Sequence, residues 1–466
     1  MDPKQHQPQP ADFFQTRREF LNRFGTGFGA LSLASLLGDP LVPDAGAKTN
    51  RSPLAPRQSH FPGRARRVIH LFSQGGPSHI DTWDPKEALA RHAGEEVKEI
   101  GGVPLPSVFK FTPGGQSGVP VSEIFPKIGE CIDDIAVINS MHTDLPAHEF
   151  ATVMMNTGSG RLVRPSMGSW VLYGLGSENQ NLPGFISLRG GLGGSQNWRS
   201  AFLPGAFQGT LVDNVNTSIE KIIENIKNHH TPLAAQREQL DLFRELNEMH
   251  FQRLQEEAVL ESRIQSFELA FQMQTEATEA FDIANEPQHI RDLYGDSTVG
   301  RQLLIARRLA ERGVRYVQSW HNGWDHHTSV KSNLERRASE CDQPIGALLK
   351  DLKQRGMLDD TLVIWTGEFG RTPRHDRGGR GEPGRDHHHK GFSAWIAGGG
   401  VKGGQNYGAT DEFGYNAVEN KVHIHDLHAT VLHLLGFDHE KLTYRYNGRD
   451  FRLTNVYGDV VDGLLA

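Results

Sequence analysis

Histidine and carboxylate side chains recur in four groups along the sequence, each following a short apolar run. Imidazole nitrogens combined with carboxylate oxygens are the ligands that zinc, manganese and iron bind in proteins. If the fold brings the groups together, they would hold one or two divalent ions, for which we favour zinc over manganese, calcium or iron. The side chains that we predict as metal ligands are His79, Asp81, Asp325, His327, Glu368, Asp386, His387 and His388.

Each group also has a purely structural interpretation. His79 and Asp81 lie in a turn rich in glycine and proline, where such side chains often bond loop backbone groups. Residues 325–327 are compatible with a solvated turn, and residues 386–389 with a flexible histidine-rich loop. Glu368 differs, because a carboxylate directly after an apolar strand is costly to bury unless it is paired. The sequence favours metal binding or acid–base chemistry and leaves the structural alternatives open.

Five apolar runs are predicted to be the strands that position these groups: 68–72, 135–138, 314–317, 361–366 and 395–398. Segments with helical spacing lie between them, for example at 300–312, 343–356 and 426–436. Strands that alternate with helices indicate a parallel sheet covered by helices on both faces. In such sheets ligands gather at the carboxyl ends of the strands. The predicted fold class is therefore α/β, with a parallel sheet sandwiched by helices.

One segment of the predicted domain 67–466 does not follow this alternation. Residues 218–286 are dense in Glu, Gln, Leu, Lys and Arg, with apolar residues at helical spacing. We predict two or three long amphipathic helices that form an inserted hairpin. Packing or oligomerisation is the simpler role for it, and a lid over the site is the alternative; the oligomeric state stays open.

The N-terminus has the features of an export signal. Arg17 and Arg18 precede an uncharged, largely apolar stretch at 24–38, and Ala45-Gly46-Ala47 resembles a signal-peptidase site. The paired arginines resemble the twin-arginine signal, and the apolar stretch is too short to span a bilayer comfortably. We predict a signal peptide at 1–47, a linker at 48–66, no stable membrane span after cleavage, and export to the periplasm or the cell exterior.

Composition excludes several classes of protein. The net charge of −7 argues against an overall electrostatic surface for nucleic acid. Two cysteines in 466 residues are too few for a disulfide scaffold or a cysteine-based zinc module. The 23 histidines are the unusual count, and those along the 426–436 segment, His428 and His433, are predicted to be surface or packing residues.

Several motifs resemble those of the exported, planctomycete-type DUF1501 family, a branch of the alkaline phosphatase and sulfatase-like superfamily. Besides the twin arginines they are GGPSHIDTWDPK at 75–86, SMHT at 140–143, GWD at 323–325, GEFGRTP at 367–373 and GRDH at 384–387. The resemblance extends from about residue 66 to 460. It implies an alkaline-phosphatase-like sheet with up to two divalent metals at its carboxyl edge and a nucleophile at a helix start.

The resemblance implies a metal-dependent hydrolase of phosphate or sulfate esters. Ser140, Thr143 and Ser78 are then candidate nucleophiles, and His148 or His79 is the candidate acid for the leaving group. Arg371 or Lys390 would hold the anion. The implied substrate is a small anionic ester or a sulfated or phosphorylated polymer.

Two departures weaken a detailed transfer of function. The sulfatase signature Cys-x-Pro-Ser-Arg is absent, which argues against a formylglycine sulfatase, and Phe369 stands where a second metal would need a ligand. The alternative is a non-catalytic secreted binding or structural protein that keeps the fold, with or without one metal.

Overall fold

The computed structural model describes residues 53–212, 231–254, 277–376 and 381–466. The predicted signal peptide at 1–47 lies outside the described residues. So do residues 213–230 and 255–276, which include most of the predicted helical insert apart from one long helix. The structure therefore bears on the predicted sheet, its covering helices and the candidate ligands.

The strands, numbered along the chain, are β1 (Arg67–Gln74), β2 (Phe111–Gly114), β3 (Val119–Ser122), β4 (Ile135–His142), β5 (Phe185–Leu188), β6 (Thr210–Val212), β7 (Tyr316–Asn322), β8 (Thr361–Thr366), β9 (Gly370–Arg371), β10 (His387–His388), β11 (Phe392–Ala397), β12 (Gln405–Tyr407), β13 (Ala409–Thr410), β14 (Ala417–Glu419), β15 (Val422–His423), β16 (Tyr444–Tyr446) and β17 (Arg449–Phe451). The α-helices are α1 (His79–Thr82), α2 (Glu87–Arg91), α3 (Pro126–Gly129), α4 (His148–Thr157), α5 (Met167–Leu175), α6 (Leu233–Leu254), α7 (Gln288–Tyr294), α8 (Thr298–Glu311), α9 (Val330–Gln354) and α10 (Ile424–Leu434).

A sheet of nine strands forms the centre of the described structure. Eight of them lie in the order β12, β4, β11, β8, β1, β7, β5 and β6, and β15 also pairs with β4. The pairings are parallel except those of β11, which runs antiparallel to both of its neighbours. The predicted α/β class is confirmed, and each predicted strand overlaps an observed one. The expectation of a wholly parallel sheet is wrong for β11.

The two faces of the sheet carry separate apolar cores because successive strand residues point to opposite sides. In β1, Ile69 and Leu71 belong to the core shared with α8 and α9. Val68 and Phe72 belong to the core on the other face, with α4, α5 and α10. Burial on both faces explains why the central strands read as continuous apolar runs in the sequence.

The reversed direction of β11 matters for the site. Strands β1, β7 and β8 end at one edge of the sheet, whereas β11 begins at that edge. Residues that precede β11 therefore meet residues that follow the other three strands. This is how the segment 386–389, although it lies before a strand, reaches the loops after β1, β7 and β8.

The segment predicted as a linker lies against the domain wherever it is described. The backbone N–H of Arg57 donates to the Leu175 carbonyl (2.8 Å), and that of Ala65 donates to the Leu434 carbonyl (2.9 Å). Of the predicted insert, α6 is a helix of 22 residues. Among the described residues, no helix combines the length and apolar character needed to cross a membrane.

Candidate metal centre

Two glycines directly after β1 allow the loops after β7 and β8 to approach closely. Gly75 has a φ of +118°, and a Cβ there would lie 2.4 Å from the Asp325 backbone nitrogen. A Cβ on Gly76, at φ +67°, would meet the Phe369 ring at 2.8 Å. The carbonyl of Gln74 accepts hydrogen bonds from the N–H groups of Gly323 (3.1 Å) and Trp324 (3.0 Å). The β7 loop, which carries Asp325, is thus fastened to the end of β1.

Asp325 is the common contact of the candidate centre. Its Oδ1 atom lies 3.0 Å from His327 Nε2 and 3.3 Å from His387 Nε2. Its Oδ2 atom lies 3.3 Å from His148 Nε2. His327 Nε2 and His387 Nε2 are also 3.0 Å from each other. Three imidazoles therefore turn the same ring nitrogen towards one carboxylate, which is 42% exposed and open to solvent.

A short β-ribbon places His387 opposite this carboxylate. Strands β9 and β10 pair antiparallel, with His387 opposite Arg371 and His388 opposite Gly370. Asp386, at the start of the ribbon, lies beside the centre with its Oδ1 atom 3.9 Å from His327 Nδ1. Ligand atoms of His327, Asp386 and His387 lie within 4.8 Å of one another, as do those of His148, Asp325 and His387.

His148, the first residue of α4, is held from behind by Glu368. Glu368 is fully buried; its two oxygens accept the Gly75 N–H at 3.0 and 3.1 Å, and Oε1 lies 2.5 Å from His148 Nδ1. Burial alone lowers the pKa of His148, but its bonds to Asp325 and Glu368 outweigh this and raise the pKa to about 9. Glu368 was predicted as a ligand, and the structure places it behind His148, where it orients the ring.

A second carboxylate orients His327 in the same manner. The Oδ2 atom of Asp376 lies 2.6 Å from His327 Nδ1, which leaves Nε2 directed towards His387. Asp376 lies in the fourth group of the sequence, three residues after the GEFGRTP motif, but it was not among the predicted ligands. Carboxylate–histidine pairs of this kind fix the tautomer and the direction of metal-binding histidines.

The donor atoms around Asp325 have the spacing that a divalent ion requires. A tetrahedral ion with bonds of about 2.0 Å separates its ligand atoms by about 3.3 Å. The contacts among Asp325, His327 and His387 are 3.0, 3.0 and 3.3 Å. The Nε2 atom of His148 is buried and faces the other oxygen of the same carboxylate, Asp325 Oδ2, at 3.3 Å. His148, Asp325, His327 and His387 are therefore the candidate ligands, with Asp386 at the rim.

The Arg371 side chain donates hydrogen bonds to several loops of the site. Its Nε donates to the Gly76 carbonyl (2.9 Å), its Nη1 to the Arg385 carbonyl (3.2 Å), and its Nη2 to the Gly75 carbonyl and to Asp325 Oδ1 (2.5 Å). The side chain is 1% exposed. We expected Arg371 to hold an anionic substrate, but these bonds use its donors and make it a support for Asp325.

Asp81 lies apart from this cluster. It forms a buried ion pair with Arg385, at 2.7 Å (Nε to Oδ2) and 3.1 Å (Nη2 to Oδ1), and accepts further hydrogen bonds from Ser78 and Val108. Burial alone would raise the pKa of Asp81, but the Arg385 guanidinium and these bonds hold it below the usual value. Its oxygens are saturated by the protein, so it is not carried forward as a ligand.

His79 and His388, also predicted as ligands, are buried beside the centre. His79 Nε2 bonds the Gly414 carbonyl at 2.8 Å, and His388 Nε2 bonds the Tyr415 carbonyl. The His388 ring also stacks on Tyr415, with 4.0 Å between centroids. These contacts fit a packing role that links β10 to the loop at 414–415.

The predicted hydroxyl nucleophiles do not bond the candidate ligands: Ser78 donates to Asp81 at 2.5 Å, and the buried Thr143 Oγ1 has no hydrogen-bond partner among the described residues. Ser140, within β4, donates to the Asn420 carbonyl at 2.6 Å. Thr143 is buried, and its backbone N–H donates to the His389 carbonyl at 2.9 Å. The helix start at which the resemblance implied a nucleophile is occupied by His148.

The position of Asp81 yields a test of its role. Asp81→Asn leaves the buried Arg385 guanidinium without its counter-charge, which typically costs about 3–5 kcal/mol. We expect the free energy of unfolding in urea to fall by that amount, while the metal content of the folded protein stays unchanged. Loss of metal with unchanged stability would instead restore Asp81 as a ligand.

The position of Glu368 gives a test of its role in orienting His148. Glu368→Gln keeps an oxygen for the Gly75 N–H but removes the charge that orients His148. Because outer partners of metal-binding histidines are typically worth 10–100-fold in affinity, we expect a loss of about that size, measured by competition with a chromophoric chelator. Glu340→Gln is the matched control, since Glu340 pairs with His321 Nε2 (2.8 Å) outside the centre. Equal affinities in the two variants would contradict the assignment.

The fold and the site together define an α/β protein with a histidine–carboxylate centre at the carboxyl edge of its sheet. Residues 65–465 match the family described as "Protein of unknown function (DUF1501)", and the chain belongs to this family. Among curated proteins no sequence match is found.

Solved structures similar to this chain include three enzymes. The lipoteichoic acid synthase LtaP from Listeria monocytogenes is 10% identical with a TM-score of 0.38; the match covers 94% of this chain and 82% of that one. The PsFucS1 sulfatase from Pseudoalteromonas sp. is 13% identical with a TM-score of 0.34 and coverages of 81% and 69%. A TAB5 alkaline phosphatase mutant with bound Mg is 13% identical with a TM-score of 0.33 and coverages of 82% and 100%.

Proposed function

We propose that this protein is an exported metal-dependent hydrolase that acts on a phosphate or sulfate ester. The observation that carries the proposal is the convergence of three histidine Nε2 atoms on the Asp325 carboxylate. Three nitrogens and one oxygen form a donor set suited to zinc, with manganese or iron as alternatives. The substrate would be a small anionic ester or a sulfated or phosphorylated polymer.

The protein's own contribution is to hold the ligands in place before an ion binds. Glu368 keeps a proton on Nδ1 of His148 and Asp376 keeps one on Nδ1 of His327. In each ring Nε2 is therefore directed towards the centre. Arg371 fixes Asp325 by a charged hydrogen bond. A divalent ion bound there would polarise an ester oxygen and lower the pKa of an attacking water.

We propose water as the nucleophile in preference to Ser140 and Thr143. Neither side chain contacts a candidate ligand in any described hydrogen bond, and Ser140 is already bonded to a carbonyl. The opening to the centre lies at Asp325 and Asp386, whose side chains are 42% and 44% exposed. The anion would enter from this side, with the exposed Lys390 following the ribbon that carries His387.

The same observation favours the second candidate function, a secreted binding protein with one metal. A protein that binds an anionic polymer through a metal needs the ligand set but needs neither a nucleophilic side chain nor a general acid. The two proposals share the metal centre and differ only in turnover.

An assay of ester hydrolysis decides between the hydrolase and the binding protein. We would assay the exported protein, loaded with Zn²⁺, against p-nitrophenyl phosphate, bis(p-nitrophenyl) phosphate and p-nitrophenyl sulfate. The hydrolase proposal expects at least one of these to be cleaved, with activity abolished by chelation, restored by Zn²⁺ and unchanged in the exposed-residue control His289→Gln. Full metal occupancy without cleavage of any of the three esters would overturn it in favour of the binding protein.

Export by the twin-arginine route is a separate part of the proposal. Replacing Arg17 and Arg18 together by lysine should keep the full-length precursor in the cytoplasm, since the paired arginines are what this route reads. Fractionation of the host cell with immunoblotting measures it. Unchanged export of the doubly substituted precursor would show that another route is used.

A further inference from the structure

We propose that Arg164 and Arg449, held on a layer of aromatic rings, bind the sulfate or phosphate groups of an anionic polysaccharide. We call this surface the arginine platform, and its rings are those of Phe202, Tyr444, Tyr446 and Phe451. The inference rests on the proposed function and deepens it, because it makes the substrate a polymer rather than a small ester.

The hairpin of β16 and β17 sets the positions of the platform residues. Tyr444 lies directly opposite Phe451 in this hairpin, and Tyr446 lies opposite Arg449. Because side chains alternate along a strand, all four point to one face of the hairpin. Phe202 packs on that face, with its ring centroid 5.1 Å from that of Tyr446 and 4.9 Å from that of Phe451. The rings therefore form one layer.

Both arginines lie over the ring of Phe451. The guanidinium carbon of Arg164 is 4.4 Å from the Phe451 ring centroid, and that of Arg449 is 4.8 Å from it. Arg164 also lies 5.8 Å from the centroid of Phe202. Contacts of this kind hold a guanidinium group by its flat face. The N–H donors, which lie in the plane of the group, are thus left for other partners.

The structure provides no acidic partner for this pair of charges. Among the described residues, Arg164 has neither a hydrogen bond nor an ion pair, and Arg449 donates to the uncharged Asn455 side chain (2.5 Å). Burial and the nearby charge of Arg449 lower the pKa of Arg164. Asp450, next to Arg449 in β17, pairs instead with Arg445 on the opposite face of the hairpin (3.0 Å). Two adjacent positive charges without a carboxylate attract an anion.

The arrangement of the rings favours a sugar polymer over a nucleic acid. Proteins that bind single strands offer ring faces on which bases stack. Here Phe202 stacks on Tyr444 and on Tyr446, with interplanar angles of 17° and 16°, and guanidinium groups cover Phe451. The platform therefore offers chiefly guanidinium N–H donors, which suit sulfate and phosphate oxygens.

Helix α4 connects the candidate centre to the arginine platform. It begins at His148 and ends at Thr157, about 15 Å further along. Gly158, which follows it with a φ of +68°, packs against the backbone of Leu453, just after β17. Arg164 lies in the loop that continues from Gly158. A ligand that reaches both the centre and the platform must be longer than a small ester.

Binding of dextran sulfate, compared with neutral dextran, tests the arginine platform. The titration is done in EDTA, so that a metal in the candidate centre cannot contribute. We expect the wild type to bind dextran sulfate and not dextran. Arg164→Gln and Arg449→Gln should each weaken this binding by at least about tenfold, because each removes hydrogen bonds from a charged donor.

The matched control is Lys402→Gln, which also removes one positive charge. Lys402 is exposed and follows β11 at the opposite edge of the sheet from the candidate centre. Its replacement should leave the affinity for dextran sulfate unchanged. Circular dichroism spectra confirm that each variant folds.

Three results would overturn the arginine platform. They are no binding of dextran sulfate by the wild type, equal binding by Arg164→Gln and Lys402→Gln, and tighter binding of single-stranded DNA that Arg164→Gln weakens. Cleavage of the p-nitrophenyl esters by the wild type tests the hydrolase separately. Cleavage without binding of dextran sulfate overturns the platform alone, whereas platform-dependent binding without cleavage supports the platform and overturns the hydrolase.

Discussion

Asp325→Asn is expected to lower the affinity for Zn²⁺ by more than about 100-fold, beyond the loss typical of an outer partner of a ligand. The reason is the position of Asp325 at the meeting point of the centre, within 3.3 Å of a ring nitrogen of each of the three histidines. The Arg371 guanidinium and hydrogen bonds from His148 and His387 also hold the pKa of Asp325 far below its usual range, despite an opposing effect of burial. The carboxylate is thus always charged, and asparagine cannot replace that charge.

Metal per chain, measured by mass spectrometry after dialysis against a weak chelator, tests this expectation. Any turnover detected in the wild type should disappear in parallel. Asp359→Asn, an exposed aspartate before β8, is the matched control and should retain full metal. Retention of metal by Asp325→Asn, with both variants equally folded by circular dichroism, would show that the ion sits elsewhere or is absent from the native protein.

Acid is expected to unfold the protein between about pH 6.5 and pH 4, because several histidines are buried in the neutral form. Burial lowers the pKa of His70 and of His428 to about 3, and that of His79 to about 4, where its bond to the Gly414 carbonyl offsets part of the effect. The unfolded chain has a higher pKa, 6.5, at each position. Stability from these groups is therefore complete above pH 6.5 and is lost progressively as the pH falls towards the folded values.

The expected loss of stability at low pH is large compared with the total free energy of unfolding of a protein. Each fully expressed group contributes about 1.4 kcal/mol per pH unit, so three groups contribute about 4 kcal/mol per unit. Total stabilities of about 5–15 kcal/mol are typical, so about two pH units below 6.5, a loss of about 8 kcal/mol, suffice for a protein in the lower half of that range. Urea unfolding at several pH values, with a chelator present to remove metal effects, measures the slope.

A matched pair of variants tests whether buried histidines cause the dependence of the free energy of unfolding on pH. His70 bonds Tyr316 Oη (2.9 Å) and Thr366 Oγ1 (2.8 Å) inside the core. His70→Gln keeps hydrogen-bonding atoms but cannot be protonated, and it should reduce the slope by up to about 1.4 kcal/mol per pH unit. His289→Gln removes an exposed histidine and should leave the slope unchanged. Equal stability of the wild type at about pH 5 and pH 7 would refute the account of the buried histidines.

The strands and the edge of the sheet at which the site lies could be predicted from the sequence. Runs such as 68–72 and 361–366 are apolar on both faces, and that pattern indicates a buried strand without further information. The direction of β11 could not be predicted, because an apolar run reads alike in both directions. Its reversal is nevertheless what brings His387, which precedes the strand, to the same edge as Asp325.

Residue type limited the candidate ligands to a set of histidines and carboxylates. It could not show which of them lie together. Asp325, His327, His387 and His148 do converge, whereas Asp81 lies in an ion pair with a residue more than 300 positions away. The local sequence does not show which residue a carboxylate pairs with. Nor does it show which site residue faces the metal position and which one supports it. Glu368 illustrates this: its burial after a strand predicted a partner, and only the fold shows that the partner is the imidazole of His148.

Anomalous diffraction at the zinc edge, from crystals of the metal-loaded protein, tests the central claim most directly. We predict a peak about 2.0–2.1 Å from the Nε2 atoms of His148, His327 and His387 and from a carboxylate oxygen of Asp325. A zinc-loaded crystal without a peak among these four side chains would contradict the claim.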